Sequence, residues 1–71
     1  MSASETVLAL DEALARLEKR NPRFARVVEC RYFAGYTEAE TATALSVTER
    51  TVQRDWAKAK ALLYESLGAG A

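Results

Sequence analysis

The amino-acid sequence predicts an all-α fold: a four-helix domain with a C-terminal helix-turn-helix. Ala, Leu, Glu, Lys and Arg dominate its 71 residues, and these residue types favour helices. Apolar residues recur at helical spacing, and no stretch alternates apolar and polar residues as a half-buried strand does. A chain of this length has room for one domain over residues 1–71, with its core within about residues 5–67.

The first helix is predicted over about residues 5–19. Its end carries Lys19 and Arg20, where positive charge offsets the negative pole of the helix dipole. One apolar stripe defines the face that packs on the rest of the domain: Val7, Leu10, Leu14 and Leu17.

A second helix is predicted from Asn21-Pro22 to about Ala34. Asn accepts a hydrogen bond from an otherwise unpaired amide, and Pro fits the first helical position. Gly35 ends the helix by adopting the left-handed conformation. A wide apolar arc predicts a central helix that is contacted from several sides: Phe24, Val27, Val28, Cys30, Tyr32 and Phe33. Within it, Cys30 is interpreted as a small core residue rather than a reactive thiol.

A short third helix and a long fourth helix complete the plan. The sequence Thr37-Glu38-Ala39-Glu40 has the form of a capping box, which starts the third helix. That helix is expected to direct Ala39, Ala42 and Leu45 inward and to end at Ser46-Val47. Thr48 then caps a helix from Glu49 to about Leu67, followed by a flexible tail over residues 68–71.

The fourth helix has two opposite faces. A helical wheel groups Val52, Trp56, Ala59, Leu63 and Leu67 on the face that docks on the domain, so Trp56 is interpreted as a core anchor. Arg50, Arg54 and Lys58 form a basic stripe on the other side, with Gln53 beside it. Such a stripe on an isolated helix is typical of a solvated surface, and the net charge of zero gives no general attraction to nucleic acid.

The short helix that precedes the fourth helix changes the interpretation of the basic stripe. A short helix, a turn of three to four residues and a longer helix form a helix-turn-helix, whose second helix enters the DNA major groove by its N-terminal end. The first two turns then reach the base edges, and their candidates for base readout are Glu49, Arg50, Thr51, Gln53 and Arg54. Lys58 lies farther along and is expected to contact phosphate.

Two segments, 28–42 and 45–56, resemble region 4 of bacterial sigma factors, most closely the extracytoplasmic-function (ECF) type. The similarity lies in Arg31-Tyr32-Phe33-Ala34-Gly35, in the capped helix after it and in Thr51-Val52-Gln53-Arg54. The triplet Arg54-Asp55-Trp56 is similar to one branch of that family. The resemblance extends over roughly residues 7–67, and it departs from the family at Ser46, where many members have Gly.

The resemblance implies a function in transcription initiation. The fourth helix would read the minus-35 promoter element in double-stranded DNA, and Arg31, Thr37 and Thr48 would hold phosphates. It also implies docking on the flap of the RNA polymerase beta subunit and, as a further partner, an anti-sigma factor. Region 2, which opens the minus-10 element, has no counterpart in these residues. We therefore expect an excised region 4 or a separate relative with the same fold.

Composition excludes several other functions. With one Cys and no His, the chain can form neither an internal disulfide nor a zinc site, and no side-chain pair resembles a nucleophile with its base. We therefore expect a protein that is not an enzyme and that needs no cofactor. Charged residues interrupt every apolar run, and residues 1–5 lack the features of a signal peptide, so a cytoplasmic protein with no membrane partner is expected.

Two alternatives remain open from the sequence. The first is the effector domain of a response regulator, which also has a helix-turn-helix in a four-helix frame. Such domains open with Leu-Thr-x-Arg-Glu where this chain has Asn21-Pro22-Arg23-Phe24, and they end in a short helix. The second is a helical module that docks on polymerase or an anti-sigma factor and contacts DNA weakly or not at all, which the zero net charge favours.

Overall fold

The computed structural model describes the backbone of residues 3–69 and the side chains of residues 8–67. No strand occurs in that part of the chain, and the predicted all-α fold with four α-helices is confirmed. None of the helices found between residues 3 and 69 is long and apolar enough to cross a membrane. The helices are α1 (Ala3–Arg20), α2 (Pro22–Val28), a π-helix (Glu29–Phe33), α3 (Glu38–Leu45) and α4 (Glu49–Ala69).

The predicted capping residues occupy the helix ends. The Asn21 side chain accepts hydrogen bonds from the backbone amides of Arg23 and Phe24, at 3.1 and 3.3 Å. At the start of α3, the Glu40 amide donates to Thr37 Oγ1 at 3.0 Å, and the Thr37 amide donates to Glu40 Oε1 at 2.9 Å. These bonds satisfy amides that a helix leaves unpaired, so both starts are determined locally.

The turn between α3 and α4 is a Schellman motif. The Val47 amide donates to the Ala42 carbonyl at 3.0 Å, and the Ser46 amide donates to the Thr43 carbonyl at 3.3 Å. Ser46 adopts the left-handed conformation, with φ 57° and ψ 44°. This conformation costs a non-glycine residue about 1 kcal/mol. The chain therefore makes the tight turn between α3 and α4 with a serine, and without a glycine, in the left-handed position.

Two apolar clusters meet at α2 and α4. The larger joins α1, α2 and α4, and the smaller joins α2, α3 and α4. Trp56 packs against both clusters, so the long helix connects the two parts of the core. The buried members are Ala13, Leu17, Ala25, Val28, Ala59 and Leu63 in the larger cluster, and Val27, Ala42 and Val52 in the smaller.

The predicted apolar arc of the second helix is wrong beyond Val28. From Glu29 to Phe33 the chain winds as a π-helix, and the Ala34 amide donates to the Glu29 carbonyl at 2.9 Å. The wider turn changes the direction of the side chains that follow. Tyr32 and Phe33 are consequently exposed by 60% and 54%, and Cys30 is half-buried instead of lying in the core.

The inner face of α3 is also rotated from its predicted position. Ala39 is exposed, while Thr41 is fully buried beside Ala42. The predicted inner residues included two alanines and no threonine, but α3 packs on α4 through the side that carries Thr41. Leu45 is half-buried, as expected for the end of this face.

Helix boundaries differ at the two chain ends. α1 begins at Ala3 rather than at residue 5, and its buried positions are Ala13 and Leu17. The predicted stripe also included Val7, whose side chain lies outside the described residues. α4 continues to Ala69, past the predicted end at about Leu67, and the remainder of the tail predicted over residues 68–71 lies outside the described part.

A partly buried ion pair joins α2 to α4. Asp55 is only 3% exposed, and the Arg23 guanidinium donates to both of its carboxylate oxygens, from Nε at 2.5 Å and from Nη2 at 3.2 Å. The Arg23 side chain is half exposed. Asp55 lies on the docking face of α4, one turn from both Val52 and Ala59. Because a buried carboxylate is costly without a hydrogen-bond donor or an opposite charge, Asp55 needs the Arg23 guanidinium in this position.

We predict that the two partners of this pair differ in their effect on stability. Arg23→Ala leaves a buried carboxylate without its donor and should lower the free energy of unfolding by about 2 kcal/mol. This loss is smaller than that for breaking a fully buried ion pair, because the Arg23 side chain is partly hydrated. Asp55→Asn keeps an acceptor, and the exposed guanidinium can be solvated, so a loss of about 1 kcal/mol is expected. Urea unfolding of both variants measures the difference. A larger loss in Asp55→Asn would contradict this account.

Candidate nucleic-acid interface

Helix α4 separates a buried face from a basic face. Val52, Ala59 and Leu63 are buried, and Trp56 and Leu67 are half-buried, as the helical wheel predicts. The basic stripe, Arg50, Arg54 and Lys58, is exposed along the other side. Its members form no salt bridge with any other side chain of residues 8–67. The neutral chain therefore carries a local concentration of positive charge on this helix.

Three of the five residues predicted for base readout meet in one open groove on α4. Arg50, Gln53 and Arg54 line this groove, which lies within the first two turns of the helix. All three side chains are exposed. Together they present two guanidinium groups and one amide, which are the groups that bind guanine and adenine edges in the major groove. We refer to this surface as the α4 groove.

The other two predicted readout residues do not line the α4 groove. Glu49 is exposed at the first position of α4. Thr51 is half-buried, and its hydroxyl accepts a hydrogen bond from the Thr48 hydroxyl at 3.0 Å. The Thr51 amide also donates to Thr48 Oγ1, at 3.1 Å, which makes Thr48 the cap of α4. This pair of threonines therefore serves first to start the helix.

The residues predicted to contact phosphate occupy two regions. Lys58 is exposed one turn beyond Arg54. Arg31 and Thr37 flank the loop before α3, where Arg31 Nη1 donates to the Tyr36 carbonyl at 2.5 Å and thereby holds the loop. The Thr37 hydroxyl accepts from the Glu40 amide. Beyond these bonds, Arg31 has further N–H donors and the Thr37 hydroxyl has its own hydrogen.

One contact between α3 and the α4 groove was missed by the sequence interpretation. Gln53 Nε2 donates to Glu38 Oε2 at 2.8 Å, although the residues are 15 positions apart. The contact places the start of α3, and with it Thr37, beside the α4 groove. Nothing in the sequence pattern pairs these two residues, because the crossing of α3 and α4 depends on the apolar clusters as well as on the turn at Ser46.

These features define the class of the protein. A capped short helix, a tight left-handed turn and a longer helix with an exposed basic N-terminal groove form a helix-turn-helix domain. The family model described as ECF sigma factor matches residues 1–68, and the chain belongs to that family as a region 4 domain. Searches of curated proteins and of solved structures gave no match.

Membership in the family sets aside one of the two alternatives left open by the sequence. The chain has the role of a sigma factor in transcription, and the family acts with RNA polymerase and promoter DNA. Sigma factors are transcription factors rather than enzymes, in agreement with the expectation from composition. The response-regulator alternative is thereby set aside.

Proposed function

We propose that this domain binds the minus-35 element of promoters through the N-terminal half of α4 while it is docked on RNA polymerase. The observation that carries the proposal is the α4 groove, in which Arg50, Gln53 and Arg54 lie together and exposed at the end of the helix that enters the major groove. Family membership supports the same function.

The proposed contacts divide into base readout and phosphate binding. Arg50 and Arg54 each offer two donors to a guanine edge, and Gln53 suits adenine. Glu49 can accept a hydrogen bond from a cytosine amino group, and the Thr51 methyl can contact a thymine methyl. Lys58, Arg31 and Thr37 bind phosphates on either side, together with the amides that Thr48 leaves free at the first turn of α4.

A different surface is proposed for polymerase. α1 and the last turns of α4 enclose a groove with an apolar floor formed by Ala13, Leu17 and Leu62. Arg16 and Ser66 border it, and Arg16 Nη2 donates to Ser66 Oγ at 2.6 Å. Leu62 is eight residues beyond Arg54, about 12 Å along the helix. This groove therefore suits the beta flap without competing with DNA, and an anti-sigma factor would compete for one of the two surfaces.

Binding of the isolated chain to duplex DNA should be weak and strongly dependent on salt. About three to five phosphate contacts and a net charge of zero give a dissociation constant of about 1 μM or higher at physiological salt. The logarithm of the binding constant should fall linearly with the logarithm of the salt concentration, with a slope of roughly −3 to −4.5. Fluorescence anisotropy with a labelled promoter duplex measures both. In the cell, tethering to polymerase raises the effective concentration.

The control is a variant that removes one charge elsewhere. Lys19→Ala lies at the end of α1 and should change neither the affinity nor the slope, whereas Lys58→Ala, which removes a proposed phosphate contact, should weaken binding and reduce the slope by about one unit. Nanomolar binding by the chain alone would contradict the proposed dependence on polymerase. Absence of any binding at low salt would favour the docking module that contacts only protein.

A further inference from the structure

The hydrogen bond between Glu38 and Gln53 crosses the helix-turn-helix at the edge of the α4 groove. Glu38 is the first residue of α3 and is half-buried, while Gln53 is exposed on α4. Gln53 Nε2 donates to Glu38 Oε2 at a distance of 2.8 Å. The capping box at Thr37 and Glu40 holds the backbone on either side of Glu38, and the hydrogen bond to Gln53 places its carboxylate at the edge of the groove.

The chemistry of the pair determines how the glutamine amide is oriented. An ionised carboxylate only accepts hydrogen bonds, so the amide nitrogen of Gln53, and not its oxygen, faces Glu38. A reversed amide would place two oxygens against each other. Glu38 therefore occupies one of the two N–H groups of Gln53 and leaves one N–H and the carbonyl oxygen for a ligand.

We propose that Glu38 is a positioning residue that gives Gln53 a preference for adenine. This inference rests on the proposed promoter binding. Adenine presents one donor and one acceptor in the major groove, N6–H and N7, which match the remaining acceptor and donor of Gln53. Guanine presents two acceptors, O6 and N7, and would require both N–H groups. Occupation of one N–H by Glu38 therefore disfavours guanine.

The test is selection of duplexes from a pool that is randomised over about one turn of DNA, with sequencing of the bound fraction. The full chain should enrich adenine at one position, and Gln53→Ala should abolish the enrichment there. Glu38→Gln can accept from or donate to the Gln53 amide and so no longer fixes its orientation; it should reduce the preference for adenine over guanine at the same position by about five- to tenfold and leave the other positions unchanged. The double variant should show no further loss.

A neighbouring variant separates positioning from charge. Glu40→Gln removes the same charge two residues away and preserves the capping box, which accepts Gln as well as Glu. It should keep the adenine preference. In the free protein, the side-chain amide resonances of Gln53 should shift in Glu38→Gln and remain in place in Glu40→Gln, and an unchanged melting temperature shows that both variants are folded.

Two outcomes would overturn the inference in different ways. If Glu38→Gln strengthens binding to all duplexes and retains the adenine preference, Glu38 acts only by repelling phosphates and the positioning role is wrong. If the unmodified chain enriches no base at any position, the proposed promoter binding fails, and the inference fails with it.

Discussion

Trp56→Ala should lower the free energy of unfolding by about 3 kcal/mol. The indole packs against both apolar clusters, which together contain residues of α1, α2, α3 and α4. Its loss therefore opens a cavity between the two clusters. Lys60 Nζ lies 5.1 Å from the ring centroid and would lose that contact too. A domain of this size has a total stability of roughly 4–10 kcal/mol, so the variant should be near unfolding at 37 °C. Thermal and urea unfolding followed by circular dichroism measure the loss.

Tyr64→Ala is the matched control for this variant. Tyr64 is an aromatic residue on the same helix but is 63% exposed, so its removal should change stability by less than about 0.5 kcal/mol. If Trp56→Ala unfolds at the same urea concentration as the unmodified chain and loses only DNA binding, then Trp56 stacks on a base and is not a core anchor.

Arg54→Ala should remove sequence discrimination without affecting folding. Arg54 is exposed in the α4 groove, one turn from Arg50, and a two-donor contact to guanine contributes about 1–3 kcal/mol of discrimination against other bases. The variant should therefore lose its preference at one or two neighbouring base pairs of the minus-35 element. Competition binding against duplexes with single-base substitutions, at two salt concentrations, measures the effect.

Lys58→Ala is the comparison that distinguishes recognition of bases from non-specific attraction to phosphate. Lys58 lies one turn farther along the basic stripe and is proposed to contact phosphate, which carries no sequence information. Its removal should weaken binding to all duplexes about equally and reduce the salt slope by about one unit. The assignment of the first two turns to base readout would be wrong if Arg54→Ala weakened all duplexes equally while Lys58→Ala altered the base preference.

The helix starts and the exposed basic stripe could be predicted because each depends on residues close in sequence. Asn21 and Thr37 cap amides within three residues of themselves, and Gly35 takes a positive φ of 72° as expected of a helix-terminating glycine. The α4 stripe follows from helical periodicity alone. The groove that joins Arg50, Gln53 and Arg54 was predictable for the same reason.

The predictions about the fold were wrong at two places. One is where the helical periodicity changes, and the other is where contact with another helix determines which face is buried. Residues Tyr32 and Phe33 would continue the apolar arc of an α-helix, but one segment of π-helix turns them outward. The short α3 has small residues on several sides, so its sequence does not distinguish Ala39 from Thr41 as the inward residue. Thr41 is buried because α3 packs on α4 through the side that carries it.

The sequence by itself determined the number of α-helices, their caps and the separation of an apolar from a basic face on α4, because these features arise from spacing and from bonds within a few residues. Only the tertiary structure decided the ion pair between Arg23 and Asp55 and the hydrogen bond between Glu38 and Gln53. Both contacts join residues on different helices, so they depend on how the helices cross. That crossing is set jointly by the two apolar clusters and by the left-handed turn at Ser46, and no local pattern encodes it.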